Sequence, residues 1–315
     1  MRDARCSFAS VVATYTDIRR RVSLSIVLKV LALTIVLFVC FAIAGAVIAQ
    51  PGAPQTAGPA GAAAALLAAC FLDTLVLTYI VLRSRWTGWR LMIAVFVIFY
   101  GVMTFMSQIE SAVFLTPLPP AMLPRLFLMG VLVAAPFSVV SVLVLRNRRT
   151  ETARTDRNTR LVMPAREWTW KLAVIASTYV VLYFTFGYFI AWRNAAVREY
   201  YGGVDTGSFS AHMQVVLRTT WWLIPLQMVR GVLWALLALP LIRSMKGAWP
   251  ETALTIGLLF AVVMNAQLLI PNPYMPETVR MAHMIETATS NFVFGLLVGW
   301  LLARRRADGG LTESA

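Results

Sequence analysis

Residues 24–48 read LSIVLKVLALTIVLFVCFAIAGAVI, and Lys29 is the one charged side chain among them. An α-helix needs roughly 20 apolar residues to cross a bilayer core of about 30 Å, so this run is long enough. It is also longer than the apolar region of a secretory signal peptide. The segment therefore predicts a transmembrane helix.

Similar apolar runs recur along the whole chain of 315 residues. Hydrophobic residues make up 59% of the sequence, charged residues make up 13%, and the mean hydropathy is +0.72. These values lie outside the range of ordinary soluble domains. We predict an all-α, polytopic integral membrane protein whose main partner is the lipid bilayer. Its eight transmembrane helices are expected at 24–48, 61–82, 89–110, 122–145, 168–192, 216–243, 252–271 and 279–302.

The positions of the basic residues predict the orientation of the spans. The formal net charge is +14, and most Lys and Arg residues lie on alternate turns or at the adjoining helix ends. By the positive-inside rule, this asymmetry predicts cytoplasmic N- and C-termini in a cell (inner) membrane. A nucleic-acid partner is disfavoured because it would need a continuous basic face. The exceptions to the asymmetry are Arg125, Arg193, Arg198, Arg218 and Arg280 on the other side, and Arg230 within a span.

Two halves of the sequence share features that suggest an internal repeat. Lys29 precedes Gly45 by 16 residues, and Lys171 precedes Gly187 by the same interval. An even number of helices per unit requires that two four-helix repeats be parallel in the membrane. The alternative is chance similarity between apolar sequences. The predicted domains are a cytoplasmic basic leader (1–23), a first repeat (24–145), a cytoplasmic charged linker (146–167), a second repeat (168–302) and a cytoplasmic tail (303–315).

Two charged residues are predicted deep inside the membrane. A charge at the centre of a bilayer costs about 2.5 to 3.5 kcal/mol even on the lenient scale, so such residues usually have partners. Asp73 lies ten residues before Arg83, and Arg230 lies thirteen residues before Arg243. At about 1.5 Å per residue, their depths are similar. We therefore predict an ion pair between Asp73 and Arg230, which would fix packing or form part of a gate.

A second group of polar residues is predicted near the outer face. Counting from the inner ends of their helices brings Glu110 and His283 to the same height, with Glu286 one turn deeper. Polar residues continue on the same helical faces and on the seventh span. These side chains predict an outward-facing intramembrane pocket for a small ligand or ion. The ligand-binding candidates are Glu110, His283, Glu286, Asn291, Gln108 and Asn265.

The same residues are also compatible with a metal site. Glu110, His283 and Glu286 supply one nitrogen and up to four oxygens, and His212 in an outer loop would add a second nitrogen. A divalent ion such as zinc would suit this set, although the sequence has no HExxH motif. Three functions therefore remain open: a ligand-binding or translocating protein, a membrane-embedded metal-dependent hydrolase, and a structural or accessory subunit.

Overall fold

The structure is a computed structural model, and it describes only part of the chain. The described residues are 3–48, with side chains from 24 onward, and 61–114, 119, 121–146, 160–272 and 274–304. Most of the predicted linker and nearly all of the predicted tail lie outside them.

The prediction of an all-helical protein with eight membrane-length helices is confirmed. Within the described residues, eight helices are long and apolar enough to cross a membrane. The first of them is the C-terminal part of a longer helix that begins at Asp3. Most of the predicted leader 1–23 therefore belongs to the same helix. Their bounds are α1 (Asp3–Ile48, span from Leu24), α2 (Ala62–Arg83), α3 (Gly88–Phe114), α4 (Met122–Leu145), α5 (Ala165–Ala191), α8 (Leu223–Ser244), α9 (Trp249–Leu269) and α10 (Glu277–Ala303), with the two shorter helices α6 (Ala195–Tyr200) and α7 (Phe209–Thr219) between α5 and α8.

The sixth span begins at Leu223 and not at 216 as predicted. Residues 216–219 belong to α7, which starts after Ser208, whose hydroxyl accepts a hydrogen bond from the amide of Ala211 at 3.2 Å. Thr220 ends α7 with a non-helical ψ of 32°. Apolar residues flank the polar residues Arg218, Thr219 and Thr220 on both sides, so the predicted span ran across the break.

Three of the spans contain one π-helical turn each, namely Gly101–Phe105 in α3, Gly187–Ala191 in α5 and Leu259–Val263 in α9. A π turn inserts a residue into the α-helical register and rotates everything beyond it, and such turns are frequent at functional sites. Residues within or just after all three turns line the cavity described below.

The spans pack in a pattern that is the same in each half of the chain. In the first half α1 packs against α2 and α4, and α3 packs against α4; in the second half α5 packs against α8 and α10, and α9 packs against α10. Between the halves, α2 contacts α9 and α3 contacts α8. The ends of α2 and α8 also exchange backbone hydrogen bonds, from the amide of Arg85 to the carbonyl of Ser244 at 2.5 Å and from the amide of Lys246 to the carbonyl of Arg83 at 2.9 Å.

Candidate functional site

A cavity of about 1010 Å³ lies at the end of the bundle opposite the paired turns after α2 and α8. Its walls come mainly from α3, α5, α9 and α10, and α6, α7 and the segments beside them lie over its mouth. Most of the lining is apolar or aromatic, as in many pockets for small molecules. All six residues predicted to bind a ligand line this one cavity: Glu110, His283, Glu286, Asn291, Gln108 and Asn265.

Arg230 pairs with Glu110, so the predicted pair between Asp73 and Arg230 is wrong. The Arg230 side chain is 1% exposed, and its Nη2 donates to a carboxylate oxygen of Glu110. Its Nη1 donates to Oε1 of Gln227 at 2.8 Å, and the guanidinium lies 5.6 Å from the centre of the Tyr179 ring. Residue counting gave the depth of each charge but not the direction it faces around the bundle. Helix α8 packs against α5 and α3, whereas α2 packs against α1 and α9.

Asp73 has no partner in the part of the chain that the structure describes. Its side chain is buried in α2 at 1% exposure, and neither carboxylate oxygen has a hydrogen-bond partner among the described residues.

His283 and Glu286 form a second pair on α10. The imidazole Nδ1 lies 3.0 Å from Oε2 of Glu286, whose side chain is 7% exposed. Gly187, in the π turn of α5, faces the other carboxylate oxygen, and a Cβ there would come within 3.8 Å of it. Such a Cβ would make only an ordinary van der Waals contact, so Gly187 and Glu286 are close neighbours in the cavity wall.

An amide and a hydroxyl extend this polar surface from α10 to α9. The hydroxyl of Thr287 lies within hydrogen-bonding distance of Oδ1 of Asn265 and, at 2.5 Å, of the carbonyl of His283. Nδ2 of Asn265 donates to the carbonyl of Ala261 at 2.8 Å. Oε1 of Gln108 and Nε2 of His283 have no partner within the part of the chain that the structure describes. Both atoms are buried, and both belong to side chains that line the cavity.

The residues predicted to bind a metal are used in other pairs. Among the described residues, no group of three or more His, Cys, Asp or Glu side chains is arranged to hold a metal ion. Glu110 is turned toward Arg230, while His283 and Glu286 bind each other. The donor set of Glu110, His283 and Glu286 therefore does not fit a zinc site, because the three side chains are not arranged around one common point.

His212 lies in an aromatic cluster and not beside Glu110. Its ring is 5.3 Å from that of Tyr188 and 5.2 Å from that of Trp192, centre to centre. Burial among these rings lowers the pKa of His212. The neutral imidazole is therefore favoured there.

The segment between α5 and α8 covers the mouth of the cavity. The ring of Tyr201 meets that of His283 edge to face at 5.5 Å, and the hydroxyl of Tyr200 donates to the carbonyl of Tyr274 at 2.7 Å. Nε1 of Trp192 donates to the carbonyl of Val204 at 3.3 Å. A long outer loop rich in aromatic residues is only a weak sequence signal for this cover.

Comparison of the chain with protein-family models, with curated proteins and with solved structures finds no match in any of the three. The functional argument therefore depends on the site itself.

Proposed function

We propose that the protein binds a small amphipathic molecule in the cavity and translocates it across the membrane. One observation carries the proposal: six polar side chains from α3, α9 and α10 converge on a cavity whose other walls are apolar. A packing interface between helices would enclose such groups against each other, with no space between them. A volume of about 1010 Å³ is at the upper end of small-molecule sites.

The charges favour a ligand with a cationic head. The carboxylates of Glu110 and Glu286 face one guanidinium, that of Arg230, and the imidazole of His283. Tyr201, Tyr183 and Trp192 add aromatic faces to the lining, and such faces attract organic cations. The apolar walls would hold a hydrocarbon body.

The proposed translocation uses two parallel four-helix repeats, with the cavity facing outward and both termini in the cytoplasm. The matching contacts in each half and the reciprocal hydrogen bonds between the turns after α2 and α8 support this arrangement. The basic side chains at that end support its assignment to the cytoplasmic side. Rocking of one repeat against the other would expose the cavity alternately to the two sides.

Three probes of equal chain length test the binding: decyltrimethylammonium, decanol and decanoate. We expect the cation to raise the unfolding temperature of the protein in nanodiscs most, and to bind on the order of tenfold more tightly than the alcohol, a difference of about 1.4 kcal/mol. Glu286→Gln should remove most of this preference. Glu277→Gln is the matched control, because Glu277 begins the same helix, is exposed and does not line the cavity.

If none of the probes raises the unfolding temperature, the proposed binding site is contradicted. If Glu286→Gln and Glu110→Gln then only lowered stability, the polar groups would serve packing, and the chain would be a structural or accessory subunit. If the cation binds but does not enter proteoliposomes that contain the protein, the proposed binding site is supported and the proposed translocation is contradicted.

A further inference from the structure

Asp73 is the one acidic side chain of the described spans that is buried without any hydrogen bond or ion pair in the described structure. Its exposure is 1%, and both carboxylate oxygens lack a partner. Glu110, Glu167, Glu251 and Glu286 all have a basic partner. An ionised carboxylate without a partner is strongly disfavoured in an apolar interior, because nothing replaces its lost hydration.

Among the described residues, no basic side chain on a neighbouring helix pairs with Asp73. On its own helix, the thiol of Cys70 lies within electrostatic range of both Asp73 and Cys40 of α1. The other titratable groups on packed helices are Lys29 on α1, Arg90, Tyr100 and Glu110 on α3, Arg125 on α4 and Glu251 on α9. Glu110 and Glu251 are held by arginines, and Arg83, at the end of α2, is about 15 Å along the helix from Asp73.

We propose that Asp73 is a proton-binding site, which carries a proton at neutral pH in this conformation. A proton is the simplest ion that neutralises the carboxylate without adding further ligands. The hydroxyls of Thr74 and Thr78, also buried and without a partner among the described residues, are the neighbouring polar groups on the same helix.

The position of Asp73 connects this site to the cavity. Leu66 on α2 lines the cavity, and Asp73 lies two turns further along the same helix, about 10 Å away. Helix α2 packs against the π turn and the following 3-10 turn of α9, the segment that also contributes Asn265 to the cavity. Movement at this irregular contact would admit water and allow the proton to leave. The site would then supply the proton coupling of the translocation proposed above, but its occupancy does not depend on that function.

Infrared spectroscopy of the protein in nanodiscs tests the site without any ligand. Asp73 is the one Asp of the sequence that lies in the eight spans. If the aspartates are labelled with carbon-13 at the side-chain carboxyl, a protonated carboxyl band with the isotope shift near pH 7 must come from a buried Asp. We expect this band in the wild type and its loss in Asp73→Asn, which keeps the shape of the neutral acid. Asp205→Asn is the matched control, because Asp205 is 58% exposed and outside the spans.

The wild-type measurement stands even if Asp73→Asn does not fold. Absence of the isotope-shifted protonated band near pH 7 would overturn the proposal, because Asp73 would then be ionised. Loss of the band on adding on the order of 0.1 M NaCl, but not choline chloride, would also overturn it and assign the site to a sodium ion. Failure of decyltrimethylammonium to bind would affect the proposed function alone.

Discussion

The carboxylate of Glu110 on α3 accepts a hydrogen bond from Nη2 of Arg230 on α8, and this pair joins the two halves of the chain at the wall of the cavity. The partners differ in burial: the Arg230 side chain is 1% exposed and that of Glu110 is 30% exposed. Replacing Glu110 and replacing Arg230 should therefore lower the free energy of unfolding by different amounts.

Glu110→Gln should lower the free energy of unfolding by about 3 kcal/mol, because it leaves a buried guanidinium without its counter-charge. Arg230→Met should cost less, because Glu110 keeps access to the cavity. Denaturant unfolding in detergent, with the double variant to complete the cycle, measures both. Equal effects for the two single variants, or strict additivity in the double variant, would contradict the pair as described.

The end opposite the cavity is held by Glu251, whose two carboxylate oxygens accept from Nε and Nη2 of Arg83 at 2.5 and 2.8 Å. Such a partly exposed pair is worth about 1 kcal/mol, so Glu251→Gln should raise the population open at this end roughly fivefold. The readout is the thiol-labelling rate of Ser84→Cys, a fully buried position, in a background without native cysteines. Glu277→Gln should leave that rate unchanged. An equal rise in both variants would show that the pair of Glu251 with Arg83 does not specifically close this end.

His212 should make the cover over the cavity sensitive to acid. Burial lowers its pKa in the folded protein below the ordinary value of 6.5, so the folded state prefers the neutral ring. The stabilisation is fully present above about pH 6.5 and is lost as the pH falls through the lower folded-state value. The protection factors of amides in α6 and α7, which are corrected for the slower intrinsic exchange at low pH, should therefore fall on acidification. His212→Phe keeps the ring contacts with Tyr188 and Trp192 and should abolish this fall; its persistence would exclude His212 as the cause.

Gly295 on α10 allows close packing against α9. A Cβ at Gly295 would lie 2.6 Å from the Cα of Gly257, and backbone cannot move aside cheaply. Gly295→Ala should thus lower the free energy of unfolding by about 1 to 3 kcal/mol. Gly45→Ala on α1 is the control, because no atom lies within 4 Å of its added Cβ, and it should be neutral or slightly stabilising. Equal unfolding midpoints for the two variants would refute the close contact.

Part of the candidate site was predictable from the sequence. Glu110, His283 and Glu286 stand out because ionisable residues are costly inside a membrane, and helix length alone gives their height. The same reasoning failed for Arg230, because residue counting matched its depth to that of Asp73, whereas the structure pairs it with Glu110. The choice depended on which helices α8 touches.

The sequence by itself determined the number of spans, their approximate limits and the polar residues within them, because these follow from local hydrophobicity and a fixed helical rise. Only the tertiary structure decided which polar groups meet. Three π turns rotate the helices beyond them, and the segment at 193–222 turns back over the cavity. These features depend on packing between distant segments, and hydrophobic periodicity does not report them.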